Sequence, residues 1–204
     1  ELLADTYGTH IKVCNYDSYQ SQNNGKRTQL EHNWNTTGTQ VDTYNKDNND
    51  KNDKKQQGIK METLQEMLKK ALADTFALYI KAHAYHWNVE GPLFAQAHDF
   101  LGDLYTELHG SIDPMAEEIR TLNVYAPTSM TRFLEMTDIE CENSVPDFRE
   151  MCRRLESDNT KVLRTLNVAF DLADNFKKQG IADFIAGRID AHEKHGWMLR
   201  SFLK

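Results

Sequence analysis

The chain has 204 residues, enough for one domain with a real core or one domain plus a tail. Its formal net charge of -7 gives no general attraction to nucleic acid or to an anionic membrane, and favours metal cations wherever the acids cluster. Three widely spaced cysteines, Cys14, Cys141 and Cys152, argue against a disulfide framework and against a structural zinc site, and as free thiols they fit a reducing cytoplasm.

Residues 1–58 are rich in Asn, Gln, Thr, Asp and Lys, and Asn45–Lys55 is almost purely polar. Such a segment buries too little apolar surface to offset the entropy of ordering it, which predicts a disordered tail. Seven basic residues against eight acidic ones leave it at -1, so it is no polybasic DNA-binding arm. The opening residues lack the basic-then-apolar order of a signal peptide. No apolar run reaches the ~20 residues of a membrane helix. Met61 is expected to be the native start, with residues 59–204 as the folded domain.

From Met61 the apolar residues recur at helical spacing: Leu64, Met67, Leu68, Ala71, Leu72, Thr75, Phe76 and Tyr79. Gly91-Pro92 ends this first helix and opens a second, expected from Pro92 to Leu122. Pro114 falls inside it, facing the carbonyl of Gly110, where a bend would either aim nearby carboxylates or relieve packing. A connection follows, with a short helix expected near Thr131–Met136. A third helix is expected over Val145–Lys178, capped by Ser144 and ended by Gly180, and a fourth over Ile181–Phe202. The pattern predicts an all-α, ferritin-like four-helix bundle with a long crossover between the second and third helices.

The informative side chains are His86, His98, Asp113 and Glu117. If the first two helices fold back at Gly91-Pro92, the two histidines lie at similar height across the hairpin. Asp113 and Glu117, four apart, share one helix face. Asp113 stands about 22 Å along the helix from His98, so one chain cannot bring all four to one small site. Two chains can, if their second helices pack antiparallel about a two-fold axis near Tyr105–Glu107. Imidazole with carboxylate suits ferrous and ferric iron, and also zinc or manganese. No Glu is followed by His three residues on, which disfavours the ordinary internal di-iron site.

The run Ala84-Tyr85-His86-Trp87-Asn88-Val89-Glu90-Gly91-Pro92-Leu93-Phe94, then His98, Leu104-Tyr105 and Asp113–Arg120, resembles the Dps family, as does Asp190–Arg200 near the end. The likeness covers roughly residues 60–204. The resemblance implies a hollow dodecamer with ferroxidase sites at its two-fold interfaces, oxidising Fe(II), preferably with hydrogen peroxide, and storing ferric mineral against oxidative stress. It implies His86 and His98 as iron ligands from one subunit, Asp113 and Glu117 from its mate, and Trp87 lining the site. Family members commonly carry an acid four residues after the second histidine; here that position is Gly102, which leaves the second iron position with His98 and Glu117. A non-enzymatic metal-sequestering or nucleoid-associated protein of the same fold therefore stays open as an alternative. Asp171, Asp174 and Asp183 either line an entry pore, as the resemblance allows, or are ordinary solvated helix ends. His83, His109, His192 and His195 are read as packed or solvated. Although the family is named for DNA binding, an acidic shell with an acidic tail is expected to repel DNA.

Overall fold

The computed structural model describes residues 41–204. The expectations for residues 1–40, including the thiol of Cys14, lie outside the described residues. The chain divides into two units, 1–44 and 45–204, and the second carries the bundle. The described elements are α1 (Val41–Asn88), α2 (Phe94–Thr121), the short α3 (Met130–Met136), α4 (Phe148–Asn175) and α5 (Gln179–Phe202).

Helix directions follow from the pairs that join them. Asp74 meets Thr165 and Lys81 meets Asp158, so α1 and α4 are antiparallel. His86 meets His98 while Tyr79 meets His109, which sets α2 antiparallel to α1. Glu107 meets Arg188 and Phe100 meets Phe202, which does the same for α2 and α5. Asn159 bonds His192 and Glu156 bonds Arg200, closing α4 against α5. Consequently α2 and α4 run parallel, and only a crossover along the bundle's length can join them. That crossover carries α3 and is pinned at two places. The buried Asp74 carboxylate accepts from Thr137 Oγ1 at 2.9 Å and from the Asp138 N–H at 2.8 Å. Glu142 accepts from Tyr85 Oη and from Arg154 Nη1, both at 2.6 Å. Tyr85's hydrogen bond, with those of Ser144 and Arg154, outweighs burial and holds the Glu142 carboxyl well below the usual carboxylate range.

Leu64, Leu68, Leu72, Leu101, Leu108, Ile119, Leu155, Leu166, Ile185 and Leu199 are fully buried along the bundle axis. Each large aliphatic side chain of this kind contributes roughly 1.5–3 kcal/mol of burial.

Several boundaries differ from the sequence expectation. α1 begins at Val41, so the composition change at 58/59 falls inside a helix rather than at its start. Extending a formed helix fixes one residue per hydrogen bond, which is far less costly than nucleating one, so polar residues can continue it. The cap of α4 is Asp147, whose carboxylate accepts from the Glu150 N–H at 2.9 Å; Ser144 instead bonds Glu142. α4 ends at Asn175, and the chain turns at Lys177, which takes φ 56°, with the Lys178 N–H returning to Ala173 O at 2.9 Å. Gly180 is not the breaker; it is the second residue of α5. Pro114 lies within α2, which continues to Thr121. Among the described residues no helix is long and apolar enough to cross a membrane.

Candidate metal-binding site

The site begins at the tight turn between α1 and α2. Gly91 has φ 107°, a backbone conformation that side chains resist, and Pro92 follows to restart the chain toward α2. The fold-back sets His86, in the last turn of α1, across from His98, in the second turn of α2. Their rings stack with centroids 3.7 Å apart.

Each ring is fixed by the other's backbone. His86 Nδ1 lies 2.8 Å from the carbonyl oxygen of His98, and His98 Nδ1 lies 3.0 Å from the carbonyl oxygen of His86. A carbonyl can only accept, so each Nδ1 must carry a proton and donate it. Carbonyls in the last turn of a helix lack an intrahelical partner, so that of His86 gains one here. In the neutral rings both Nε2 atoms are then left with free lone pairs, the form in which imidazole binds metal. Phe94 stacks on the far side of His98 at 5.1 Å, and Tyr105 stands edge-on to His86 at 5.0 Å.

The other predicted residues are placed elsewhere on the same two helices. Trp87 is 68% exposed and lies over His83 at 4.2 Å; the opposite contact of His83 is Tyr105, stacked at 3.9 Å. Partial burial, then the neighbouring His86 and His109, hold His83 below the ordinary histidine range. Asp113 and Glu117 are exposed on α2, four to five turns beyond His98. Among the described residues no group of three or more His, Cys, Asp or Glu side chains converges within one chain. The structure thus joins the histidines to each other and leaves both carboxylates apart from them. Sequence reasoning missed Tyr105 and Phe94 as the aromatic walls of the pair. Their signal was the spacing His98-x6-Tyr105 and Phe94-x3-His98, which places all three on one stripe of α2.

Among the described residues the bundle interior offers no comparable pair of free carboxylates. Asp158 is paired with Lys81 and with Lys161 at 2.8 Å, and Glu107 with Arg188. His192 is fully buried: its Nδ1 donates to Asn159 Oδ1 at 2.7 Å, and Arg188 Nη2 lies 3.4 Å from its Nε2. His195 Nε2 lies 3.4 Å from Glu107. Burial, followed by the charge of Arg188 and then of His195, pushes His192 well below the ordinary range. Asp171, Asp174 and Asp183 are exposed around the α4–α5 turn.

Comparison with known proteins agrees with this architecture. A family model described as a ferritin-like domain matches residues 65–204. An uncharacterised low-temperature-induced protein of Nostoc is 38% identical over 140 residues, 68% of this chain and 78% of that protein. A DNA protection during starvation protein of Brevibacillus brevis is 33% identical over 68% of this chain and 93% of its own length. Among solved structures, a Dps protein from Bacillus brevis superposes with a TM-score of 0.68 at 31% identity, over 71% of this chain and 97% of that one. A Dps protein from Vibrio cholerae, described as a member of a broad superfamily of ferritin-like diiron-carboxylate proteins, gives 0.68 at 27% identity, over 72% and 92%. The helix order, the crossover and these matches place the chain in the ferritin-like family, among the Dps proteins.

Proposed function

We propose that the protein is a miniferritin ferroxidase whose sites are completed between two copies of the chain. The observation that carries this reading is the mutual clamp of His86 and His98, in which both Nδ1 atoms are occupied by backbone carbonyls and Nε2 is the nitrogen left for a ligand. Iron is the substrate and the stored product. Two Fe(II), one hydrogen peroxide and two protons give two Fe(III) and two water molecules, each iron losing one electron. His86 and His98 of one subunit bind Fe(II), and the partner's Asp113 and Glu117 supply the negative charge that stabilises the rise to Fe(III). A two-fold pairing of α2 brings these halves together, because an isologous interface repeats each contact twice. An exposed apolar groove of about 250 Å³ on α1 and the crossover, with Ile80, Met130 and Leu134 at its surface, suits burial against another copy. Trp87, close to the pair, intercepts stray oxidising equivalents. The assembly is a cytoplasmic dodecamer that protects against peroxide by removing it together with Fe(II). At -7 per chain it does not compact DNA, and any retardation of DNA in a gel is abolished by modest salt.

The test is anaerobic loading of the purified assembly with Fe(II), a peroxide pulse, and absorbance in the ferric-oxo band. Fast oxidation is expected, and a His86→Ala/Asp113→Ala variant should fall to the buffer rate. Oxidation no faster than buffer in the intact assembly selects the competing reading, metal sequestration without turnover, which the missing side chain at Gly102 favours.

A further inference from the structure

The residue four after His98 contributes no side chain, and the space it leaves is occupied. A Cβ placed on Gly102 would stand 3.3 Å from Cε1 and 3.5 Å from Nδ1 of His86. The first distance is tighter than ordinary carbon contacts, and the second involves the atom that donates to His98 O at 2.8 Å. Geometry explains the coincidence. Within α2 the carbonyl of His98 points along the helix toward residue 102, whose N–H it accepts in the regular pattern. A second donor arriving from α1 must reach the same oxygen from the side, over the Cα of residue 102. Glycine leaves that approach open, whereas a Cβ there would make the His86 ring give way by a few tenths of an ångström, and the α1–α2 turn holds that ring in place.

We propose that Gly102 is a positioning residue: its missing side chain is the slot that seats His86, and so locks both imidazoles with Nε2 outward. This rests on the reading of the pair as metal ligands. It reverses the simpler view that Gly102 is a lost ligand. The subunit gives up a carboxylate at this position and keeps two imidazoles in a fixed stack. All the negative charge of the site then comes from the partner, and the half-site favours borderline divalent ions such as Fe(II), Co(II) and Zn(II) over Mg(II) or Ca(II).

The test uses the full-length assembly and Co(II), which binds without being oxidised, followed by its visible absorption and by calorimetry. Gly102→Ala is expected to lower Co(II) affinity about tenfold or more, as loss of a ligand-orienting contact does. Its melting temperature should stay the same or rise, since alanine favours helix over glycine. Gly102→Asp should likewise bind Co(II) more weakly than the unaltered chain. Unchanged affinity in Gly102→Ala, or tighter binding in Gly102→Asp, overturns the proposal. A second readout needs neither variant. Nitrogen-15 magnetic resonance of the metal-free, histidine-labelled assembly should show Nδ1–H rings at His86 and His98, beside that of the buried His192, with the His86 signal lost and the His98 signal perturbed in His86→Ala. Finding the opposite tautomer at either position overturns it. Neither readout involves oxidation, so an assembly that binds Co(II) as expected but fails to oxidise Fe(II) separates failure of the ferroxidase reading from failure of this one.

Discussion

The bundle contains two histidine pairs, and it uses them in opposite ways. His86 and His98 sit on the outer face of α1 and α2, clamp each other's carbonyls through Nδ1, and leave Nε2 free. His192 and His195 sit inside, on α5, packed against Asn159, Arg188 and Glu107. His192 is bonded at both nitrogens, and Glu107 is shared between His195 and Arg188. Burial is not what separates a ligand pair from a structural pair, since both are at least partly covered. The difference lies in what faces the second nitrogen. On the outer face no hydrogen bond to it is made among the described residues. In the interior a guanidinium faces it, and the acids that could have joined a metal are neutralised by Arg188 and Lys81. The same contrast makes the interior carboxylates Glu107 and Asp158 poor metal ligands, because each is already held by a buried cation.

This contrast is sharpest under alanine substitution. His98→Ala removes a ligand and little packing, so Fe(II) oxidation should drop to the buffer rate while the guanidinium midpoint stays nearly unchanged. His192→Ala should do the reverse. It leaves Asn159 Oδ1 without its donor and opens a cavity, costing about 2–4 kcal/mol per subunit, with oxidation per folded assembly retained. The contrast breaks if the His192 variant is stable and inactive.

Acid should act on the interior pair by a smaller amount. Burial first, and then the charge of Arg188, lowers His192; burial likewise lowers His195 against the pull of Glu107. A histidine whose folded pKa lies below its unfolded value binds protons more readily when unfolded. Its stabilisation is therefore complete above pH 6.5, the unperturbed value, and declines as pH falls below it. The melting temperature of the metal-free assembly should be flat from pH 8 to 7 and decrease from pH 6.5 toward 5. In His192→Gln that decrease should be shallower. A melting temperature that rises on acidification would contradict the assigned neutral state.

How much of this could be read from the residues alone varies by element. The hairpin turn was legible because Gly91 and Pro92 each have one strong backbone preference, and α2 because its apolar stripe is unbroken. The crossover followed from connection length. The ends of α4 were misjudged. Asp147 rather than Ser144 caps it, and Lys177 rather than Gly180 turns the chain, because several residues in each stretch could serve and tertiary contacts choose among them. Adjacency of His86 and His98 was expected from the fold-back, but not the mutual clamp. A side chain reaching a backbone carbonyl on another helix leaves no trace in spacing. The occupied slot at Gly102 was invisible for the same reason, since the sequence records a missing side chain and not what fills its place.

If each site is shared between two subunits, two inactive variants that lack opposite halves should restore each other on co-assembly. His86→Ala and Asp113→Ala chains should each form inactive assemblies. Mixed in equal amounts before assembly, half of the two-fold pairs contain one chain of each kind, and each such pair regains one intact site of its two. The account predicts recovery of about a quarter of the unaltered oxidation rate in the mixture. A mixture no more active than its two inactive components would contradict it.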